Sequence, residues 1–82
     1  MIEVTAVKSI QDYHLVVTFN TGEVRRFDMR PYLHYPIYQR LENPGFFSLA
    51  RVDYGTVTWP GDIDIAPETI YHDGLPATPS SV

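Results

Sequence analysis

Eighty-two residues suffice for one small domain with a thin core, since a chain near this length buries only about 60% of its unfolded surface. The absence of cysteine excludes a disulfide framework, a thiolate nucleophile and a cysteine zinc site, and a 44% hydrophobic, 13% aromatic composition excludes a disordered chain. A net charge of −4 argues against general nucleic-acid binding, because an acidic surface repels phosphate backbones.

Ile2 to Ile10 alternates Ile2, Val4 and Ala6 with Glu3 and Thr5, the period of a half-buried strand. A turn follows at Ser9–Asp12. Tyr13 to Phe19 places Leu15, Val17 and Phe19 on one side and His14, Val16 and Thr18 on the other. Both sides are fairly apolar, as in a central strand. Asn20-Thr21-Gly22 is a hairpin turn, with glycine supplying positive φ. A two-residue loop at Thr21-Gly22, with Val24 opposite Phe19, is preferred over a three-residue loop with a glycine bulge, and a bulge is allowed at Arg25-Arg26.

Asp28 is placed to cap a helical turn over Met29–Leu33. A second helix is expected from Pro36 to Leu41, with Ile37 and Leu41 on one face, ended by Asn43-Pro44-Gly45. Phe46 and Phe47 then lead into a strand over Ser48–Asp53 whose Ala50 and Val52 share a face with Tyr54. Thr56–Trp59 returns, Pro60-Gly61 turns, and Ile63 and Ile65 alternate with solvated Asp62 and Asp64. Pro67–His72 forms a short helix with Glu68 at its positive end. The fold class is α+β: an antiparallel sheet of four to five strands with short helices on one face. It forms one domain over residues 1–74, followed by a flexible tail over residues 75–82.

The charges are segregated. Arg25, Arg26, Arg30 and Arg40 stand in the middle of the chain, whereas residues 43–82 carry Asp53, Asp62, Asp64, Glu68 and Asp73 against Arg51 alone. Asp62, Asp64 and Glu68 are the nearest approach to a hard-cation site, but they lack the spacing of a calcium loop and read as solvated. His14, His34 and His72 have no spacing for a zinc pair. Ser9, Ser48, Ser80 and Ser81 lack a base and a nucleophile-elbow context. No catalysis, cofactor or metal is expected. Tyr32, Tyr35 and Tyr38, with Arg25, Arg26 and Arg30, are the residue types favoured where proteins grip one another. They are the candidate partner-binding residues.

TFNTGEVRRFDM, with Phe27 and Asp28, and FFSLARVDYGTVTWPGDIDIAPETIYHDG, with Gly55, Trp59, Pro60, Asp64, Pro67 and Tyr71, resemble the bacterial domain of unknown function 2442 family over most of residues 2–73. The resemblance implies a small α+β domain of unassigned activity, with no catalytic residues to carry over. Some relatives carry a helix-turn-helix domain that this chain lacks. Others are encoded beside a second small protein and have been proposed as toxin–antitoxin partners. The motif residues read as scaffold: Trp59 as core anchor, Gly55 and Pro60 as turn formers, Asp64 as a backbone-capping acid, Pro67 as helix starter.

The resulting expectation is a cytoplasmic protein-interaction module, without signal peptide or membrane span. Its acidity suits a basic, toxin-like partner, and its thin core would gain from a homodimer interface. Two rivals are a DNA-linked regulatory module using Arg25, Arg26 and Arg30, and a metal-dependent enzyme using Asp62, Asp64 and Glu68.

Overall fold

A computed structural model describes residues 1–77. Seven strands run in chain order: β1 (Val4–Ile10), β2 (His14–Phe19), β3 (Val24–Asp28), β4 (Arg51–Asp53), β5 (Thr56–Trp59), β6 (Ile63–Ile65) and β7 (Leu75–Ala77). Helix α1 (Pro44–Phe47) precedes β4, and α2 (Pro67–Asp73) precedes β7; 3-10 helices span Arg30–Tyr32 and Pro36–Glu42. The fold is α+β and wholly antiparallel, as its alternation and hairpin turns require. Its strands divide into two sheets, β1-β2-β3-β7 and β4-β5-β6.

Leu15, Val17, Phe19 and Phe27 from the larger sheet meet Val57, Trp59, Ile63 and Ile65 from the smaller one, with Met29, Leu41, Phe47 and Ile70 closing a single core. The two sheets also join through the backbone, where the Val4 N–H donates to the Gly55 carbonyl at 2.8 Å. Trp59 is 1% exposed, and its indole N–H donates to the Phe47 carbonyl at 2.9 Å. A buried indole needs that partner, because an unmet donor carries its full desolvation cost.

The β2–β3 hairpin takes the three-residue loop. The Phe19 N–H donates to the Glu23 carbonyl and the Gly22 N–H to the Phe19 carbonyl, both at 2.9 Å, while Gly22 sits at φ +90°. A left-handed glycine after a tight turn adds the bulge residue. Val24 therefore pairs with Thr18, not with Phe19. The pairing through Arg25 and Arg26 is regular; the bulge lies instead in β1, where Val4 opposes Phe19 and Ala6 opposes Thr18.

Between β3 and β4 the chain departs further from expectation. Asp28 does receive the Arg30 N–H at 2.9 Å, but the Pro36–Glu42 segment is a 3-10 helix. Its i, i+3 eclipse sets Ile37 in solvent and Leu41 in the core, so the two share no face. Asn43-Pro44-Gly45 ends that helix, with Asn43 as its C-cap, and also starts another: the Asn43 side chain accepts the Phe46 N–H, and Pro44 occupies the first turn. Phe47 is thus a helical core residue and β4 begins only at Arg51. Tyr54, expected beside Val52, lies in the β4–β5 turn at φ +52° and is 99% exposed.

Helix α2 lies on the core side of β3. The Arg25 guanidinium sits 4.4 Å from the Tyr71 ring centre, and the Tyr71 hydroxyl donates to Glu23 Oε1 at 2.7 Å. At Gly74 the chain leaves α2 so tightly that a Cβ would stand 2.6 Å from the Ile70 carbonyl oxygen. The ordered chain continues past residue 74, for Leu75–Ala77 pair with Arg26, Arg25 and Val24. The rest of the expected tail, residues 78–82, lies outside the described residues.

Candidate interaction surface

The candidate arginines do not form one patch. Successive residues of a strand point to opposite faces, so Arg25 and Arg26 are separated by the sheet itself. Arg25 faces α2 and is committed to Tyr71 and to Glu23 at 2.9 Å. Arg30 is held by Asp28 through Nε and Nη2, at 3.0 Å each to the nearer oxygens. That fork holds the Asp28 carboxyl below its ordinary pKa, chiefly through the Arg30 hydrogen bonds, with His14 adding to the effect. Of these three arginines only Arg26 is both exposed and without an acidic partner among the described residues.

The tyrosines do come together. The Tyr32 ring centre lies 6.4 Å from that of Tyr35 and 6.5 Å from that of Tyr38. Two of the three are structural. The Tyr32 hydroxyl donates to Asp73 Oδ2 at 2.7 Å, which raises its pKa to about 12. The Tyr38 hydroxyl donates to the Asp64 carbonyl of β6, and burial raises its pKa. Tyr35 is exposed with Ile37 beyond it, so a small apolar outcrop remains.

The acids of the smaller sheet line an open groove of about 520 Å³ with Arg51, Tyr54 and Thr58. The groove contains no histidine and no hydroxyl–base pair, and the Thr58 hydroxyl within it is unpartnered. Asp62, Asp64 and Glu68 do not converge: no three acidic or histidine side chains gather around a common point among the described residues.

The larger surface was hidden in the sequence. Paired residues of an antiparallel ladder share a face, so the side of the β1-β2-β3-β7 sheet away from the core carries three rows. They are Ile10–His14–Asp28, Lys8–Val16–Arg26–Leu75 and Ala6–Thr18–Val24–Ala77. None of these residues belongs to the core cluster or packs against it. Among the described residues no helix or strand covers them. Val24, 7% exposed, is the one buried apolar side chain outside the core, and Leu75 is 70% exposed. His14 stands 3.8 Å from Asp28 at one end of the face. Lys8 and Arg26 flank Val16, each exposed and without an acidic partner among the described residues. The signal for this face is Val16 and Val24 on the polar phase of their strands; the two apolar sides of β2 do mark a central strand of the sheet, with Val16 half-buried on the side away from the core.

No helix among the described residues is long and apolar enough to cross a membrane. No curated protein and no solved structure matches the chain. A family model does, over residues 4–75, from the first residue of β1 to the first residue of β7. The match spans both sheets and the turns between them, and by it the chain belongs to the protein family of unknown function DUF2442.

Proposed function

We propose that this protein is a protein-interaction module that binds through the open face of its four-stranded sheet. The observation that supports this reading is the side of that sheet away from the core, where Ile10 and Val16 are half-buried and Leu75 is 70% exposed, and none of the three belongs to the core or packs against it. An antiparallel sheet tolerates one wet face when that face is polar. This one mixes aliphatic residues with two unpaired cations, the composition of a surface that is covered part of the time. In its narrower form, drawn from the family resemblance, the partner is a basic co-encoded protein and this chain is the antitoxin-like half. The net charge of −4 supports that form, since opposite potentials speed encounter.

Affinity capture from the native cell compares the wild-type chain with Val16→Asp and with Tyr35→Ala, each first shown to melt cooperatively. The expected result is a captured protein that is lost with Val16→Asp and retained with Tyr35→Ala. Loss with Tyr35→Ala alone moves the surface to the tyrosine outcrop. Absence of any stoichiometric partner removes the module reading.

A further inference from the structure

We infer that the shallow pocket between the end of the Pro36–Glu42 helix and α1 binds a carboxylate joined to an aliphatic group. It shares no residue with the open sheet face and does not rest on the reading proposed for that face. The pocket, about 430 Å³, is lined by Arg40, Asn43, Gly45, Phe46 and Leu49. Positions three apart in a 3-10 helix eclipse one another, which brings Arg40 and the C-cap residue Asn43 to one side.

Arg40 is exposed, yet its guanidinium is held in place. It stands 4.5 Å from the Phe46 ring centre, a cation–π contact. It also lies so close against the Pro60-Gly61 turn that a Cβ on Gly61 would stand 2.5 Å from Nη1. Stacking uses the face of a guanidinium and leaves its in-plane N–H groups to donate. Arg40 has no acidic partner among the described residues. Asn43 adds a second donor. Its Oδ1 accepts the Phe46 N–H at 3.1 Å, which fixes the orientation of the amide and leaves Nδ2 without a protein partner among the described residues. None of the five lining residues is acidic, whereas Asp53, Asp62 and Asp64 all line the groove of the smaller sheet.

These groups select the ligand's chemistry. A planar guanidinium fork matches the two oxygens of a carboxylate. A phosphate dianion calls for more positive charge than one arginine supplies on a chain of net charge −4. The rest of the wall is apolar: Phe46, and Leu49, which is 51% exposed and lies outside the core and the residues packed on it. An aliphatic group beside the carboxylate would take that leucine out of water. A peptide C-terminus ending in an aliphatic residue and a free aliphatic acid share this chemistry.

The full chain is titrated with N-acetyl-leucine, N-acetyl-leucinamide and inorganic phosphate, and its backbone amide shifts are followed by NMR. N-acetyl-leucine is expected to bind in the millimolar range, as suits one exposed ion pair, with the largest shifts around Arg40, Asn43 and Leu49. N-acetyl-leucinamide, which lacks the charge, should bind at least about fivefold more weakly, and the gap should narrow with added salt. Arg40→Gln should erase the gap, and Arg40→Lys should restore only part of it. Leu49→Ser, at an exposed position, keeps the test open if Arg40→Gln unfolds the chain; it should bind N-acetyl-leucine no better than N-acetylglycine. A tripeptide ending in leucine that binds tighter than N-acetyl-leucine supports the proposal with a peptide terminus as the source; equal affinity supports it with a small acid. Equal binding of N-acetyl-leucine and its amide overturns the proposal. Phosphate binding as tightly as N-acetyl-leucine overturns it too, as does a shift map centred on Arg51 or Lys8.

Discussion

Trp59 carries the largest fully buried side chain of the protein, and its role was readable because a lone tryptophan in an alternating strand has few other uses in so small a domain. Ile63 and Ile65 were readable for the same reason: they alternate with Asp62 and Asp64, and the isoleucines are buried while the aspartates are exposed. Tyr54 and Val16 were not readable. Alternation would carry Tyr54 onto the face of Val52, but the turn at Tyr54-Gly55 takes positive φ at both residues and breaks the period. Val16 matches a buried position in every local respect, yet it lies on the side of the sheet away from the core and is only half-buried. At this scale the testable claim is Trp59→Ala, which leaves a large void while the Phe47 carbonyl keeps the Ser9 hydroxyl and the Ala50 N–H as donors. It should cost about 3–5 kcal/mol, enough to unfold most of the population of a domain this size. Urea denaturation followed by circular dichroism checks it, and a midpoint near that of wild type would show that the core does not depend on the indole.

Among the elements, strands were more legible than helices. A strand announces itself through a period of two, and β2, β5 and β6 were placed within a residue or so. The short helices carry less than two α-helical turns each, too few for a period of 3.6 to register. Asn43-Pro44-Gly45 illustrates the ambiguity, since the same residues serve a stop or an N-cap. Strand β7 was invisible for another reason: LPA has a proline and no alternation, and it becomes a strand only because β3 offers it an unpaired edge. Proline is tolerated there, at the margin of a sheet. A chain ending at Ala77 should therefore be more stable than one ending at Gly74. The difference should be roughly 1–2 kcal/mol, from lost ladder hydrogen bonds and the exposure of Val24. Thermal melts of the two truncations decide it; equal midpoints would return the domain boundary to residue 74 and make β7 incidental.

On the scale of the whole molecule, two tyrosine–carboxylate links hold α2 and the middle segment against the larger sheet, Tyr32 to Asp73 and Tyr71 to Glu23. Such links make stability depend on pH in a direction that can be worked out. The Asp73 hydrogen bond, with burial, raises the Tyr32 pKa to about 12 from an ordinary 10, and Glu23 raises that of Tyr71. A group with a raised folded pKa contributes fully below its unfolded value and loses that contribution as pH climbs through the folded one. Stability should thus fall between pH 10 and about 12. On the acid side, Tyr71 followed by Arg25 lowers the Glu23 pKa and Arg30 lowers that of Asp28, from ordinary values of 4.5 and 3.8. These carboxylates contribute above those values and lose it as pH falls through the lowered ones. Melting temperature should form a plateau bounded by the two limbs, and the limbs should be separable. Tyr32→Phe removes the hydroxyl without emptying the aromatic cluster, so it should make the alkaline limb shallower, with the Tyr71 share remaining, and leave the acid limb in place. Tyr71→Phe should soften both, because it removes the hydrogen bond that favours charge on Glu23. A Tyr32→Phe protein whose alkaline limb coincides with that of wild type would show that the clamp between the middle segment and α2 is held by packing alone.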